Sequence, residues 1–163
     1  MMIAMFLLGL LLMPQDGVIG KVETTYDKKA NFSSFRTYSW TPGYNAYDPE
    51  AHKMVVAALE AEMATLGFTK VDSGADVTLA YYTVTGTDVD LKALDKQQRD
   101  GTAGPTPTKA RARLVVIMRA AASSQQVWSA STREYLDPDR AKLSGTIQSV
   151  TGRLFNTYPG RKK

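Results

Sequence analysis

Asp48 followed by Pro49 constrains this chain more than any other feature, because it starts a helix that has only one apolar face. Asp48 is a natural N-cap, proline suits the first helical position, and Glu50 complements the helix dipole in the first turn. Met54, Val55, Ala58, Leu59, Met63 and Leu66 then recur at helical spacing, and Gly67 supplies the stop. Lys53, Glu60 and Glu62 lie on the other side. A helix of this kind must bury its stripe against a second layer. The flanking segments have the pattern of strands, so the helix is expected to pack on a sheet.

Val22, Thr24 and Tyr26 alternate with Lys21, Glu23 and Thr25, the period of a half-buried strand. Asp27 to Ser34 is turn-like and Phe35 to Trp40 is aromatic and β-branched, which together predict a hairpin with a long loop, ended by Thr41, Pro42 and Gly43. Phe68 to Val71 forms a short strand. Asp76 to Val84 (DVTLAYYTV) is apolar on both faces, the mark of a central strand. The stretch 85–109, with Gly86, Gly101, Gly104, Pro105 and Pro107, is expected to be a long flexible loop with at most a helical turn at Asp90 to Lys96. Arg113 to Ala121 and Gln126 to Glu134 make a second hairpin. Asp137 and Pro138 repeat the cap-and-proline pattern before a helix marked by Leu143, Ile147, Val150 and Leu154 and ended by Tyr158, Pro159 and Gly160. The expectation is an α+β fold, β-β-α-β-β-β-β-α, with a mostly antiparallel sheet and two helices packed on one face, as one domain over 21–160.

The N-terminal run MMIAMFLLGLLLM is uncharged and too short to span a bilayer, which takes about 20 residues. Its length suits a secretory signal, with Pro14 ending the apolar stretch and cleavage expected after Gly20, so residues 1–20 are read as a signal peptide. No membrane span is expected in the mature chain. Cysteine is absent, which removes disulfides, thiolate metal sites and an acylated N-terminal cysteine. The expected location is therefore periplasmic or secreted, without a lipid anchor. The net charge is +4 with a pI near 9.3. The basic residues are scattered and fit no base-reading motif, so no nucleic-acid partner is expected.

Chemistry finds little foothold. His52 is the only histidine, with no nucleophile elbow to accompany it, and reads as a surface residue; a hydrolase would have to be built around it. Asp88, Asp90 and Asp95 resemble part of a calcium loop but lack its glycine and terminal glutamate. Glu60 and Glu62 cannot face one another on a helix. Glycines 101 and 104 form no phosphate loop. No catalytic, cofactor or metal residues are expected. Tyr26, Phe32, Phe35, Tyr38, Trp40, Tyr44 and Tyr47 crowd together, and rings of this kind serve as packing or line a cleft. The candidate binding surface is Tyr38, Trp40, Tyr44, Tyr82 and Trp128. Arg111, Arg113, Arg119 and Arg133 are expected to share a sheet face.

Taken together, YDKKANFSSFRTYSW (Tyr26, Asp27, Phe32, Phe35, Thr37, Tyr38 and Trp40), LGF at Leu66 to Phe68, Ala75 to Tyr82, RLVVIM with the Val127–Trp128 pair, and Tyr158–Pro159 resemble the bacterial envelope family called domain of unknown function 4136. Many members of that family look like lipoproteins; the missing cysteine here implies a soluble periplasmic form. The family has no established activity. The resemblance thus implies a fold and a location; with no catalytic set in the chain, the expectation is a non-enzymatic envelope accessory protein that binds a macromolecule through a sheet edge or the 85–109 segment. The alternative is a binder of a small amphiphile or glycan in an aromatic-lined cleft.

Overall fold

The computed structural model describes residues 19–43, 45–46 and 48–161. Residues 1–18 of the expected signal segment 1–20, together with Tyr44 and Tyr47, lie outside the described residues. Six strands form one sheet in the order β1-β6-β5-β4-β2-β3, with β1 at Glu23–Tyr26, β2 at Thr37–Trp40, β3 at Thr69–Lys70, β4 at Val77–Val89, β5 at Thr108–Ala120 and β6 at Gln126–Tyr135. Among the described residues three α-helices join them: α1 at Pro49–Thr65, α2 at Leu91–Arg99 and α3 at Leu143–Phe155. The α+β class and the covering of one face by α1 and α3 agree with the sequence reading.

The sheet is mixed rather than mostly antiparallel. β2 runs parallel to both β4 and β3, in register Tyr38↔Val77 and Tyr38↔Lys70. The cause is α1, whose 17 residues carry the chain back to the end of the sheet where β2 began, so the strands that follow run in the same direction. Gly43 lets the chain leaving β2 lie against β4, since a Cβ there would stand 2.1 Å from the Tyr81 carbonyl oxygen.

The first two strands do not form the expected hairpin. β1 pairs with β6 (Tyr26↔Trp128) at one edge, and β2 pairs with β4 on the other side of the sheet. The ten residues between β1 and β2 cross the molecule because their rings have somewhere to pack. Phe32, in a 3-10 turn over Phe32–Ser34, meets Tyr158 edge-on at 5.4 Å and Phe35 at 6.1 Å. The carboxylate of Asp76 then fixes the entry to β2, accepting the backbone N–H groups of Arg36 (2.8 Å) and Thr37 (2.9 Å) and the Thr37 hydroxyl (3.0 Å).

Segment 85–109 is largely ordered secondary structure, not a long loop. β4 and β5 pair as far as Val89↔Thr108, past the last β5–β6 pair at Arg111↔Tyr135, and α2 sits at the tip of this arm. The third helix, which the sequence reading allowed only as one turn at Asp90 to Lys96, rests on the same device that starts α1: Asp90 Oδ1 accepts the N–H groups of Lys92 (3.1 Å) and Ala93 (3.2 Å). Lys96–Asp100 and Arg99–Asp95 ion pairs at one-turn spacing support it. No α2 residue is buried, and Leu91 is 71% exposed. The expected β5–β6 hairpin forms. At α3 the cap moves two residues along: Asp139 caps a 3-10 turn at Arg140–Lys142, which runs on into the helix.

Candidate functional site

The helix-covered face of the sheet carries the odd positions of β4 (Val77, Leu79, Tyr81, Thr83, Thr85) and their partners across β5 and β6. At one end these are large and closed over. Trp128 and Phe155 meet with tilted rings at 5.1 Å, Tyr158 meets Trp128 edge-on at 5.6 Å, and Met63, Leu59 and Leu154 join them with no exposure. Toward the other end the sheet positions become Thr83, Thr85, Ala112, Thr132 and Glu134, and the facing helix positions are Ala51, Val55, Thr146 and Ile147. The small residues among them (Thr83, Thr85, Ala112, Thr132, Ala51 and Thr146) do not fill the gap, which leaves a cleft of about 500 Å³ between the first turns of α1 and α3 and the sheet. Leu114, Leu136, Leu143 and Val150 complete its walls. The volume falls within the usual range for small-molecule sites, about 300–1,000 Å³.

Charged groups at the cleft are tied to one another. Asp48 at the mouth divides its carboxylate: Oδ1 caps α1 by accepting Glu50 N–H at 2.9 Å, while Oδ2 takes a hydrogen bond from the Arg140 guanidinium. That guanidinium, with the backbone N–H groups of Glu50 and Ala51, holds the Asp48 carboxyl below the usual range. Glu134 on the floor is paired with Arg153, which also donates to the Gly20 carbonyl at 2.7 Å. Asp137 accepts from Lys142 at 3.0 Å, which adds to the Asp139 N–H in holding its carboxyl low. The wall behind Ala46 is set by Tyr81, whose hydroxyl accepts the Ala46 N–H at 3.2 Å and shares a hydrogen bond with His52 Nδ1. Burial raises the Tyr81 phenol. His52 is therefore half-buried and stacked on Tyr81 at 5.8 Å instead of lying loose at the surface.

The aromatic residues singled out in the sequence fall on both sides of the sheet. Tyr38 (3% exposed), Trp40 and Trp128 (0%) lie on the helix-covered face, in a run of edge-on contacts from Trp40 through Tyr38 and Phe68 to Tyr158 and Trp128. Trp40 donates to Glu60 Oε1 at 2.9 Å beside Lys70 at 2.8 Å, and that ammonium's hydrogen bond is the main cause of a lowered Glu60 carboxyl. Tyr82 follows Tyr81 along β4 and points to the opposite face. Tyr44 lies outside the described residues. The structure thus brings Tyr38, Trp40 and Trp128 together in packed surroundings and sets Tyr82 apart from them.

Arg111, Arg113, Arg119 and Arg133 do share the face away from the helices, with Arg113 directly opposite Arg133. Arg111 is answered locally by Asp88 at 2.6 Å and Arg113 by Glu23 at 3.0 Å. Asp90 and Asp95 serve as a helix cap and an ion-pair partner within the arm. Among the described residues no three His, Asp or Glu side chains gather as a metal would require, and no helix is long and apolar enough to cross a membrane.

The cleft itself was missed by sequence reasoning. A signal existed in the alternation of Thr83 and Thr85 after Tyr81, where small polar residues replace large apolar ones on an otherwise buried strand face.

Solved structures with this fold include a PDZ domain protein from Parabacteroides distasonis, with a TM-score of 0.59 at 14% identity over 87% of this chain. The match covers 36% of that protein, so this chain spans little more than a third of its length. PelC from Paraburkholderia phytofirmans, a dodecamer, gives a TM-score of 0.58 at 11% identity over 87% of this chain and 99% of that one. At such identities the likeness is one of fold. No curated protein matches the chain in sequence. The family model described as a domain of unknown function (DUF4136) matches residues 22–160, from just before the first strand to a short way past the last helix. That span takes in the aromatic cluster, both covering helices and the cleft, and the chain belongs to the DUF4136 family.

Proposed function

We propose that the chain is an exported, non-enzymatic binding module of the bacterial cell envelope, and that the cleft between α1, α3 and the sheet is where it receives its ligand. The apolar cleft of about 500 Å³ carries this reading. Its ionisable groups are spent on each other, Asp48 on Arg140, Glu134 on Arg153 and Asp137 on Lys142, an arrangement suited to holding shape more than to moving protons. The uncharged apolar run from Met1 to Met13 supports export. The test is cell fractionation followed by intact and native mass spectrometry of the extracted protein. A periplasmic product beginning near Lys21 and retaining a small bound mass is the expected result. A cytoplasmic product retaining Met1, with no adduct, would end the reading.

A second reading, association with an envelope macromolecule, is favoured by the β4–β5 arm. It runs past β6, displays Val84 (58% exposed) and Leu91, and belongs to a fold also found in the PelC dodecamer. Crosslinking in the periplasm would give a partner or oligomer band that Leu91→Asp removes; a band indifferent to that change would take the arm out of consideration.

A further inference from the structure

We infer that the cleft takes the aliphatic chain of a single-chain amphiphile and leaves the head group outside; this rests on the ligand-receiving reading above. The apolar part of the wall is made by Ala, Val, Leu and Ile side chains, the rest of the lining is Thr, Asn45 and charged residues, and among the described lining residues there is no aromatic ring. Sugars and flat ring systems are held on aromatic faces, which this cleft does not offer. The interior also has no use for a charge. Each carboxylate that reaches the cleft already has its cation, and Arg113 has Glu23, so a charged head drawn inside would have to break a pair or remain unanswered in an apolar space. The polar groups left over on the inner wall are the hydroxyls of residues such as Thr85 and Thr146, which an alkyl chain can pass at little cost because they rotate to other acceptors.

The mouth has the opposite character. Arg140 and Lys142 stand there with side chains 70% and 62% exposed, next to Asp48 and Asp137. A head group at this point remains in water among charges of both signs, so its own charge should matter little. The occupant is accordingly a free single-chain amphiphile rather than a lipid held in a bilayer.

The experiment titrates the 163-residue chain with decanol, decanoate and decylammonium, their octyl counterparts, 2-naphthol and maltose. Binding is read by thermal midpoint and by the NMR methyl signals of Val55, Ile147 and Val150. All three decyl compounds should bind with similar affinity and move those methyls, about fifteenfold more tightly than the octyl compounds, as the transfer of two methylene groups dictates. Ala112→Phe, which fills the floor, should abolish the effect, while the methyl shifts of the unaltered protein keep the inference testable even if that variant folds poorly. Binding of naphthol or maltose in the cleft without alkyl binding would overturn the ligand class and leave the cleft a ligand site. Binding by only one of the three head groups would overturn the placement of the head outside. Co-sedimentation with phosphatidylglycerol and phosphatidylethanolamine vesicles, without methyl shifts from free chains, would overturn the free-amphiphile occupant. If no compound moves the methyls, the ligand-receiving reading falls as well.

Discussion

The two ends of the helix-covered sheet face use the same strands and the same two helices, yet one is closed and the other is open. At the closed end Trp128, Phe155, Tyr158 and Met63 meet across the gap between the layers. At the open end the same strands present Thr85, Ala112 and Thr132, and the same helices present Ala51 and Thr146. Backbone architecture does not decide between a core and a cleft here; side-chain volume does. Aromatic side chains bury roughly 150–250 Å² each and can bridge the layers, whereas alanine and threonine cannot. The closed end is nevertheless imperfect, because Trp128 Nε1 and the Tyr158 hydroxyl are buried with no hydrogen-bond partner among the described residues, and burial raises the Tyr158 phenol.

The comparison breaks most sharply at Trp128. Trp128→Ala should lower stability by about 3–5 kcal/mol in denaturant unfolding, because the closed packing leaves nothing to refill the space. A loss below about 1 kcal/mol would mean that the two ends are alike in tightness.

The next effect is on acid stability. Backbone N–H groups of Arg36 and Thr37 hold the Asp76 carboxyl below its ordinary value of 3.8. A carboxylate with a lowered folded pKa stabilises the fold fully above its unfolded value and stops doing so as pH falls through the folded one. Asp76→Asn should therefore reduce stability at neutral pH and flatten its decline below about pH 4, as followed by thermal midpoint against pH. A decline as steep as that of the unaltered protein would move the acid sensitivity elsewhere.

A matched pair on α3 sharpens the contrast. Phe155→Ala empties the closed end and should cost several-fold more than Val150→Ala, about 1–2 kcal/mol, at a position that already borders open space. Equal costs would contradict the distinction. Smallest of all is Arg140→Ala. Its partner is a solvent-exposed carboxylate, so stability should remain within error while ligand exchange at the mouth quickens, as stopped-flow mixing would show.

How much of this was legible in the sequence depends on distance along the chain. Asp48–Pro49 and the apolar stripe after it announced α1, and the short Ala122 to Gln125 turn announced the β5–β6 hairpin, because both are local signals. Asp90 carries the same cap chemistry as Asp48, but the glycines and prolines that follow α2 masked a helix of 9 residues. The crossing between β1 and β2 could not be read locally, since it depends on Phe32 meeting Tyr158 from the far end of the chain. For the same reason the aromatic-rich opening motif admitted two readings, packing or the lining of a cleft, and its described rings mostly meet one another. The cleft was the least legible element, because it arises from small residues on three strands and two helices that come together only in the folded chain.

Asp48 carries one last consequence. Its two oxygens have separate employers, one the helix and the other the guanidinium across the mouth. The doorway can therefore swing without unravelling its doorpost: letting go of Arg140 leaves the first turn of α1 wound and anchored. On the proposed reading of the cleft as a ligand site, admission to the interior would then be independent of the integrity of the frame around it, and a guest could come and go without the fold being risked at each visit.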